Sequence, residues 1–321
     1  MRAMRFERYG SPDRLKLVDV PTPVPDDHEV LVRVRAASIN SWDWDLLAGT
    51  FQGRLGFMAW RKPRFEILGA DVAGVVESVG GRVHDLQVGD EVYGEISQHG
   101  WGGFAEYVVV PARVLTEKPR RMTFEQAAVT PQAGLLALQA LEVAGRMQPG
   151  CRVLINGAGG GVGTFAIQIA KSLGAAVTGI DHADKFAAMR SIGVDGVIDY
   201  TEHDFTTAGE RYDVIIDPVA AHPVRAYRRA LDVNGVAVIV GGSMRALLGA
   251  AAFGRLAMTK GRSVRVLAFK PRREDLARLS QLIDSGDVIP VIGHRYPLDS
   301  LPEAFRRYAR GEFTGKIVVT P

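Results

Sequence analysis

The chain of 321 residues holds a single cysteine, Cys151. An internal disulfide is therefore excluded, and so is a zinc site built from four cysteines. Charge of one sign is not in excess either: 39 Lys and Arg stand against 36 Asp and Glu, a formal net charge of +3. The basic residues are scattered, with no long like-charge block, which argues against a dedicated nucleic-acid surface. Long hydrophobic runs are missing as well. The opening "MRAMRFERYG" lacks the apolar core of a signal peptide. The most apolar later stretch, "ALLGAAAFGRLAM" at 246–258, is short and carries Arg255. It cannot span a bilayer, so a soluble cytoplasmic protein with no membrane span is expected.

What is present is ordinary globular material, 47% hydrophobic and 23% charged. The length suits about two domains. The first 120 residues read as short strands separated by glycines: "LKLVDV", "EVLVRVRAAS" with Val30, Val32 and Val34 on one face, "ADVAGVVESVG", "GDEVYGE" and "FAEYVVV". That texture predicts a small barrel or sandwich. Near residue 123 it changes. Thr123 is an N-cap candidate with Gln126 in the capping-box position, and a long helix follows "TPQAG".

From Cys151 onward, strands alternate with helices. "CRVLIN", "AAVTGI", "GVIDY", "DVIID", "VAVIVGG" and "VRVLAF" make six strands. The fold class is therefore α/β, with a doubly wound parallel sheet of the dinucleotide-binding kind. The final stretch from "VIPVIGHRY" to "GKIVVT" returns to mixed texture and is expected to rejoin the first domain.

Between the first of these strands and its helix lies "INGAGGGVG", with five glycines in residues 157–163. Glycine gives up backbone order and packs nothing, so something has to approach the backbone closely. Read as A-x-G-x-x-G, the loop uses Ala158, Gly160 and Gly163, with Gly157 and Gly159 flanking and Gly161 and Val162 within it, ahead of the helix "TFAIQIAKSL". One glycine serves the tight turn, one the approach of a pyrophosphate, and one the packing of helix on strand. Free N–H groups at the helix start then face the anion. Asp181, eighteen residues past Gly163, is placed to hold the ribose 2′-hydroxyl of NADH and to repel the 2′-phosphate of NADPH. His182, Lys185 and Arg190 soften that repulsion. NAD(P)H is expected, with a lean to NADH.

The segments "VLINGAGGGVGTFAIQIAKSLGA", "ILGADVAGVVESVG", "VGDEVYG", "GGFAEYVVVP" and "GKIVVT" together resemble the medium-chain dehydrogenase/reductase superfamily. Within it the chain is similar to the zinc-free quinone oxidoreductase, or zeta-crystallin-like, branch. The resemblance implies a GroES-like, β-barrel-type catalytic domain from residues 1–122 and 290–321 and a Rossmann domain from 123–289. Where the zinc enzymes of the family carry a cysteine, this chain reads "ASINSWD", with Asn40; where they carry G-H-E, it reads "GAD", with Ala70 and Asp71. The soft ligands of a catalytic zinc are absent from those places, and no metal is expected.

Without a Lewis acid, alcohol oxidation is difficult, whereas a quinone or enone accepts hydride and spreads the charge by conjugation. By resemblance Asn40 contacts the substrate or the nicotinamide ribose; a turn asparagine bonding its own backbone is the other reading. Trp42, Trp44, Phe57, Met58 and Trp60 form either a flat slot for a ring or buried core. Related enoyl-thioester reductases carry a tyrosine in a G-x-Y-G segment; the matching "GTFQG" has Phe51, which cannot donate a proton. The general acid is therefore unassigned. Further cofactor contacts implied by resemblance are Thr130, before the helix leading into the fold, Lys185 and Tyr200 on the adenosine side, and Pro218, Val219, Gly241, Gly242, Ser243 and Phe269 on the nicotinamide side. Lys316 is implied at the ribose or phosphate. The expected activity is zinc-independent reduction of a quinone or α,β-unsaturated carbonyl by a homodimer. Reduction of simple aldehydes or ketones, and a structural or RNA-interacting cofactor-binding role, are the alternatives.

Overall fold

Fifteen strands carry the architecture of the computed structural model, which describes residues 1–56, 60–242, 244–253 and 260–321. The first seven are β1 (Arg2–Arg5), β2 (Lys16–Asp19), β3 (Glu29–Ser38), β4 (Asp71–Val79), β5 (Glu91–Glu95), β6 (Tyr107–Pro111) and β7 (Leu115–Glu117). Six more follow in the middle of the chain: β8 (Arg152–Asn156), β9 (Ala176–Asp181), β10 (Gly196–Asp199), β11 (Tyr212–Asp217), β12 (Leu231–Ile239) and β13 (Ser263–Val266). The last two are β14 (Ile292–Pro297) and β15 (Lys316–Thr320).

The chain divides into two compact units. The first comprises Met1–Gln132, Pro271–Asp284 and Pro290–Pro321, and the second Ala133–Lys270 and Ser285–Ile289. The texture change near residue 123 predicts an earlier break and gives helix Arg273–Ser285 to the nucleotide fold. In the structure most of that helix falls in the first unit, where the Tyr93 hydroxyl lies 2.6 Å from Ser280 Oγ and Arg273 pairs with Asp85 at 2.7 Å. Helix Phe124–Ala128 packs on β3 and β4 of the same unit. Its capping box forms as expected, with Gln126 N donating to Thr123 Oγ1 and Thr123 N to Gln126 Oε1.

In the first unit the sheet order is β14-β15-β3-β4-β5-β7, with β6 also on β3. One long strand, β3, holds it together. It pairs antiparallel with β4 along one edge and with β6 and then β15 along the other. Register shifts between Leu31 and Val32 and between Val34 and Ala36 bend it, as bulges do. Val30, Val32 and Val34 face inward and are buried, in a core closed by an edge-to-face contact of Phe104 and Phe305 at 6.0 Å.

The second unit is a six-stranded parallel sheet in the order β10-β9-β8-β11-β12-β13. Counted from β8, this is the 3-2-1-4-5-6 order of the dinucleotide-binding fold. The strand order reverses between the parallel neighbours β8 and β11, so their carboxyl ends, Asn156 and Asp217, flank the switch point where such sheets take ligands.

Close packing at this point depends on Gly163. A Cβ there would lie 2.3 Å from Gly157 O and 2.5 Å from Ala158 Cα, both backbone. Gly163→Ala is expected to destabilise the protein by about 1–3 kcal/mol through overpacking. Gly249→Ala, in a helix with nothing within 4 Å of the new methyl, is expected to be neutral or stabilising by up to about 1 kcal/mol. Denaturant melts of the two variants check the contrast.

Candidate active site

The glycine loop turns at Gly157, whose φ is +75°. The tight-turn glycine is thus Gly157, one of the two flanking Ala158, and Ala158 itself is fully buried. The physical reason is room: the Ala158 methyl packs where a Cβ on Gly179 would stand 2.8 Å away. The amides of Gly157 and Ala158 both donate to Ile180 O at 2.9 Å, and Gly160 N donates to Gly157 O at 3.1 Å. Helix Gly161–Ser172 starts after Gly160 as N-cap. Among the described residues, the amides of Gly161, Val162 and Gly163 have no acceptor. Three free N–H groups at a helix start, lined by glycine, fit an anionic diphosphate. The residues present therefore suit a dinucleotide cofactor.

Asp181 is buried at the end of β9 and holds this loop. Its Oδ2 accepts from Gly159 N at 2.9 Å, and its Oδ1 accepts from His182 N and from Lys185 Nζ, each at 2.9 Å. The carboxylate expected to read the ribose thus already carries an ammonium partner. Tyr200 is exposed, with its ring 6.3 Å from that of His182.

Three strand-end loops of this unit meet. A Cβ on Gly157 would touch Val219 Cγ2 at 3.0 Å; one on Gly241 would reach Pro218 O at 2.9 Å; one on Gly242, at φ +102°, would strike Ala220 Cβ at 2.6 Å. Pro218, Val219, Gly241 and Gly242 therefore come together with the glycine loop. Their organiser, unforeseen from the sequence, is Asp217, which has no exposed surface. Its Oδ1 accepts from Val219 N (2.9 Å), Ala220 N (2.7 Å) and Asn156 Nδ2 (3.0 Å), and its Oδ2 from the Tyr227 hydroxyl (2.7 Å). An acidic residue closing an apolar strand, just before proline, was the available signal. Phe269 is half-buried in the same unit; Ser243, Phe57 and Met58 lie outside the described residues, as do residues 254–258 of the apolar insert.

Asn40, Thr130 and Lys316 belong to the first unit. Thr130 is buried and donates its hydroxyl to Gln126 O at 2.7 Å. Lys316 is buried as well, and its Nζ reaches Ile39 O at 2.9 Å, Asn40 Oδ1, and Asp71 Oδ2 at 3.7 Å. Asn40 caps helix Ser41–Ala48 and donates its side-chain amide to Asp71 Oδ2 at 3.0 Å, a longer-range bond than a turn asparagine makes. Trp42 and Trp44 pack partly buried on the core, and exposed Trp60 meets exposed Phe51 at 6.0 Å.

Strand register aligns these polar groups. Ser38 on β3 stands opposite Asp71 on β4, which stands opposite Glu95 on β5, so all three share one face. All are buried. Asp71 takes Gln132 N at 3.1 Å on Oδ1, and Ser38 Oγ at 3.2 Å beside Asn40 on Oδ2. Asp43 takes Gly69 N and Asn40 N, each at 2.8 Å. Burial pushes Asp71 and Asp43 up from the usual carboxylate range, with Lys316 opposing. Burial likewise lowers Lys316 against the pull of Asp71 and Asp43. Glu95 is pushed up to about 8 by burial and by Asp71. Among the described residues no group of three His, Cys, Asp or Glu side chains is placed to hold a metal ion.

Residues 26–120 match the alcohol dehydrogenase GroES-like domain family, and residues 192–319 match the zinc-binding dehydrogenase family. The chain is 32% identical along its whole length to a chloroplast envelope quinone oxidoreductase homolog of Arabidopsis thaliana, covering 98% of that protein. It is 33% identical to a chloroplastic NADPH-dependent alkenal/one oxidoreductase of the same plant, covering 80% of it. Among solved structures, the quinone oxidoreductase from Coxiella burnetii superposes with a TM-score of 0.89 at 30% identity, covering 100% of this chain and 99% of that one.

Removing one partner from a buried charged pair leaves the other uncompensated. Lys316→Met is therefore expected to cost about 3–5 kcal/mol, and adding Asp71→Asn to that variant is expected to restore part of the loss. Denaturant melts of the single and double variants check this; additive losses would contradict it.

Proposed function

This chain belongs to the quinone oxidoreductase, zeta-crystallin-like branch of the medium-chain dehydrogenase/reductase superfamily, and from that premise we propose zinc-independent reduction of quinones and α,β-unsaturated carbonyls by NAD(P)H. The observation that carries the reading is the trio of free amides at Gly161, Val162 and Gly163, with Asp181 and Lys185 at the neighbouring strand end. Bound there, the dinucleotide supplies hydride. The main-chain amides hold its diphosphate, and Asp217 fixes Val219 and Ala220 at the switch point. Two acceptor classes are favoured because each spreads the incoming charge by conjugation, so that orientation and hydrogen bonding suffice.

The case against zinc rests on the donor set. The oxygens of Asp71 are occupied by Gln132, Asn40 and Ser38, and the Lys316 ammonium already stands 3.7 Å from Oδ2. A second cation there would be repelled. On the cofactor, the Lys185 ion pair offsets the charge of Asp181, which removes the ground for preferring NADH. We assign NADPH as an accepted donor, with Lys185 serving its 2′-phosphate. No described helix is long and apolar enough to cross a membrane. The homodimer rests on resemblance alone, and sedimentation of the purified protein tests it.

A panel of quinones, enones and unactivated aldehydes, run with NADPH and NADH, tests the reading. Turnover is expected with the first two classes, and turnover confined to aldehydes would contradict it. Lys185→Ala is expected to weaken NADPH binding about tenfold, on the order of 1.4 kcal/mol, and NADH binding much less. Equal losses for both cofactors in calorimetric titrations would remove Lys185 from the 2′-phosphate.

A further inference from the structure

The excess positive charge of the chain has a definite place. Residues 1–16 hold five basic side chains, Arg2, Arg5, Arg8, Arg14 and Lys16, against two acidic ones, Glu7 and Asp13. That surplus of three equals the formal net charge of the whole chain, +3, so the residues after Lys16 balance. All of these cations except Arg2 line one cavity of about 320 Å³, together with both acids. The cavity lies wholly within the first unit.

Local structure crowds the cations. Arg5 on β1 stands directly opposite Lys16 on β2 in the antiparallel register, so both side chains leave the two-stranded sheet on one face. Like charges directly opposite each other destabilise such a pair. The turn Pro12–Arg14 brings Arg14 back along Gly10: a Cβ on Gly10, at φ +150°, would lie 3.4 Å from both Cγ and Nε of Arg14. The two acids are already engaged. Asp13 is ion-paired with Arg306 and takes the Ser11 hydroxyl at 3.1 Å. Glu7 stands 3.7 Å from Arg5, whose Nε also donates to Glu66 Oε2 at 2.7 Å. Arg8, Arg14 and Lys16 are exposed, and their side chains make no hydrogen bond or ion pair among the described residues. A cleft lined by an excess of one sign concentrates the opposite one, and guanidinium forks match phosphate oxygens two at a time. The apolar part of the lining is Phe6, which is buried, and Val18, which is half-buried. Neither offers a face on which a base could stack. The lining therefore suits a ligand that is nearly all anion.

We propose that this cavity is a binding site for a small oligophosphate, a run of two or three linked phosphate groups held by Arg8, Arg14 and Lys16. The bound anion would offset the repulsion among the three cations and between Lys16 and Arg5. Its size sits at the low end of small-ligand cavities, which admits linked phosphates and little else. The site is separate from the glycine loop, whose free amides belong to the second unit, and it does not depend on the reduction reading.

The test is calorimetric titration of the NADPH-loaded protein, so that the glycine loop is taken, with inorganic phosphate, pyrophosphate and tripolyphosphate at low salt. Affinity is expected to rise in that order and to fall as salt is added. A triple variant, Arg8→Ala with Arg14→Ala and Lys16→Ala, is expected to bind tripolyphosphate at least about 100-fold more weakly, with NADPH affinity unchanged. Glu7→Gln removes a negative charge from the cavity and is expected to tighten binding about twofold or more. Arg120→Ala, an exposed cation outside the cavity, is expected to change nothing. Tripolyphosphate should also raise the Tm of wild type and not that of the triple variant, which separates lost binding from lost folding. No heat with wild type, an affinity that does not rise with phosphate number, or equal binding by the triple variant overturns the proposal. A single-stranded oligonucleotide that binds more tightly than tripolyphosphate and displaces it overturns the small-ligand assignment. If the protein takes up no NADPH, the reduction reading suffers alone, because the triple variant still reports on the cavity.

Discussion

A buried ammonium governs the first unit. Lys316 comes from the last strand of the chain and is closed in by Ile39 O, Asn40 and Asp71. Two carboxylates, Asp71 and Asp43, sit without solvent in the same region. Neither ionises there without a cation nearby, since a buried charge is tolerated only when paired and hydrogen-bonded. The ammonium also ties the end of the chain to β3 and to the helix that Asn40 caps, so that the charge pattern and the closure of the sheet depend on one contact.

From that contact the chemistry of the unit follows in order. Lys316 opposes the upward push of burial on Asp71, Asp71 orients the Asn40 amide and takes Gln132 N, and burial with the neighbouring Asp71 pushes Glu95 up to about 8. In the second unit a comparable hub, Asp217, works by geometry: one carboxylate gathers the strand end at Asn156, the turn at Val219 and Ala220, and the helix at Tyr227. The glycine loop beside it offers unpaired amides because its glycines admit the backbone path; the oxygens of Asp181 brace that path through Gly159. Relatives named as quinone and alkenal/one oxidoreductases match this chain along its whole length.

Local pattern made much of this readable. Alternation at Val30, Val32 and Val34 gave the inward face of β3, six apolar runs gave the parallel sheet, and "INGAGGGVG" gave the glycine turn ahead of helix Gly161–Ser172. Thr123 and Gln126 announced their capping box. What was missed lies in contacts distant along the chain. Lys316 and Asn40 are 276 residues apart, and nothing near either one announces the other. Glu95 meets Asp71 only through strand register, and in sequence it reads as one more acidic residue after a strand. Asp217 looked like a strand end because its partners arrive from Asn156 and Tyr227. Helix Arg273–Ser285 was given to the nucleotide fold because its neighbours in sequence belong there, whereas Tyr93 and Asp85 hold it in the first unit. Which glycine takes the tight turn, Gly157, is a matter of φ, which residue type constrains but does not determine.

We propose that this chain passes hydride from NAD(P)H to a conjugated carbonyl without a metal ion. The proposal is tested most directly by isotope transfer in chelator-treated protein given an enone and NADPH with deuterium at the transferable position. The expected product carries one deuterium at the β-carbon, formed at a rate within about twofold of the untreated protein. A product without deuterium, or a rate restored only by adding zinc, would contradict the account.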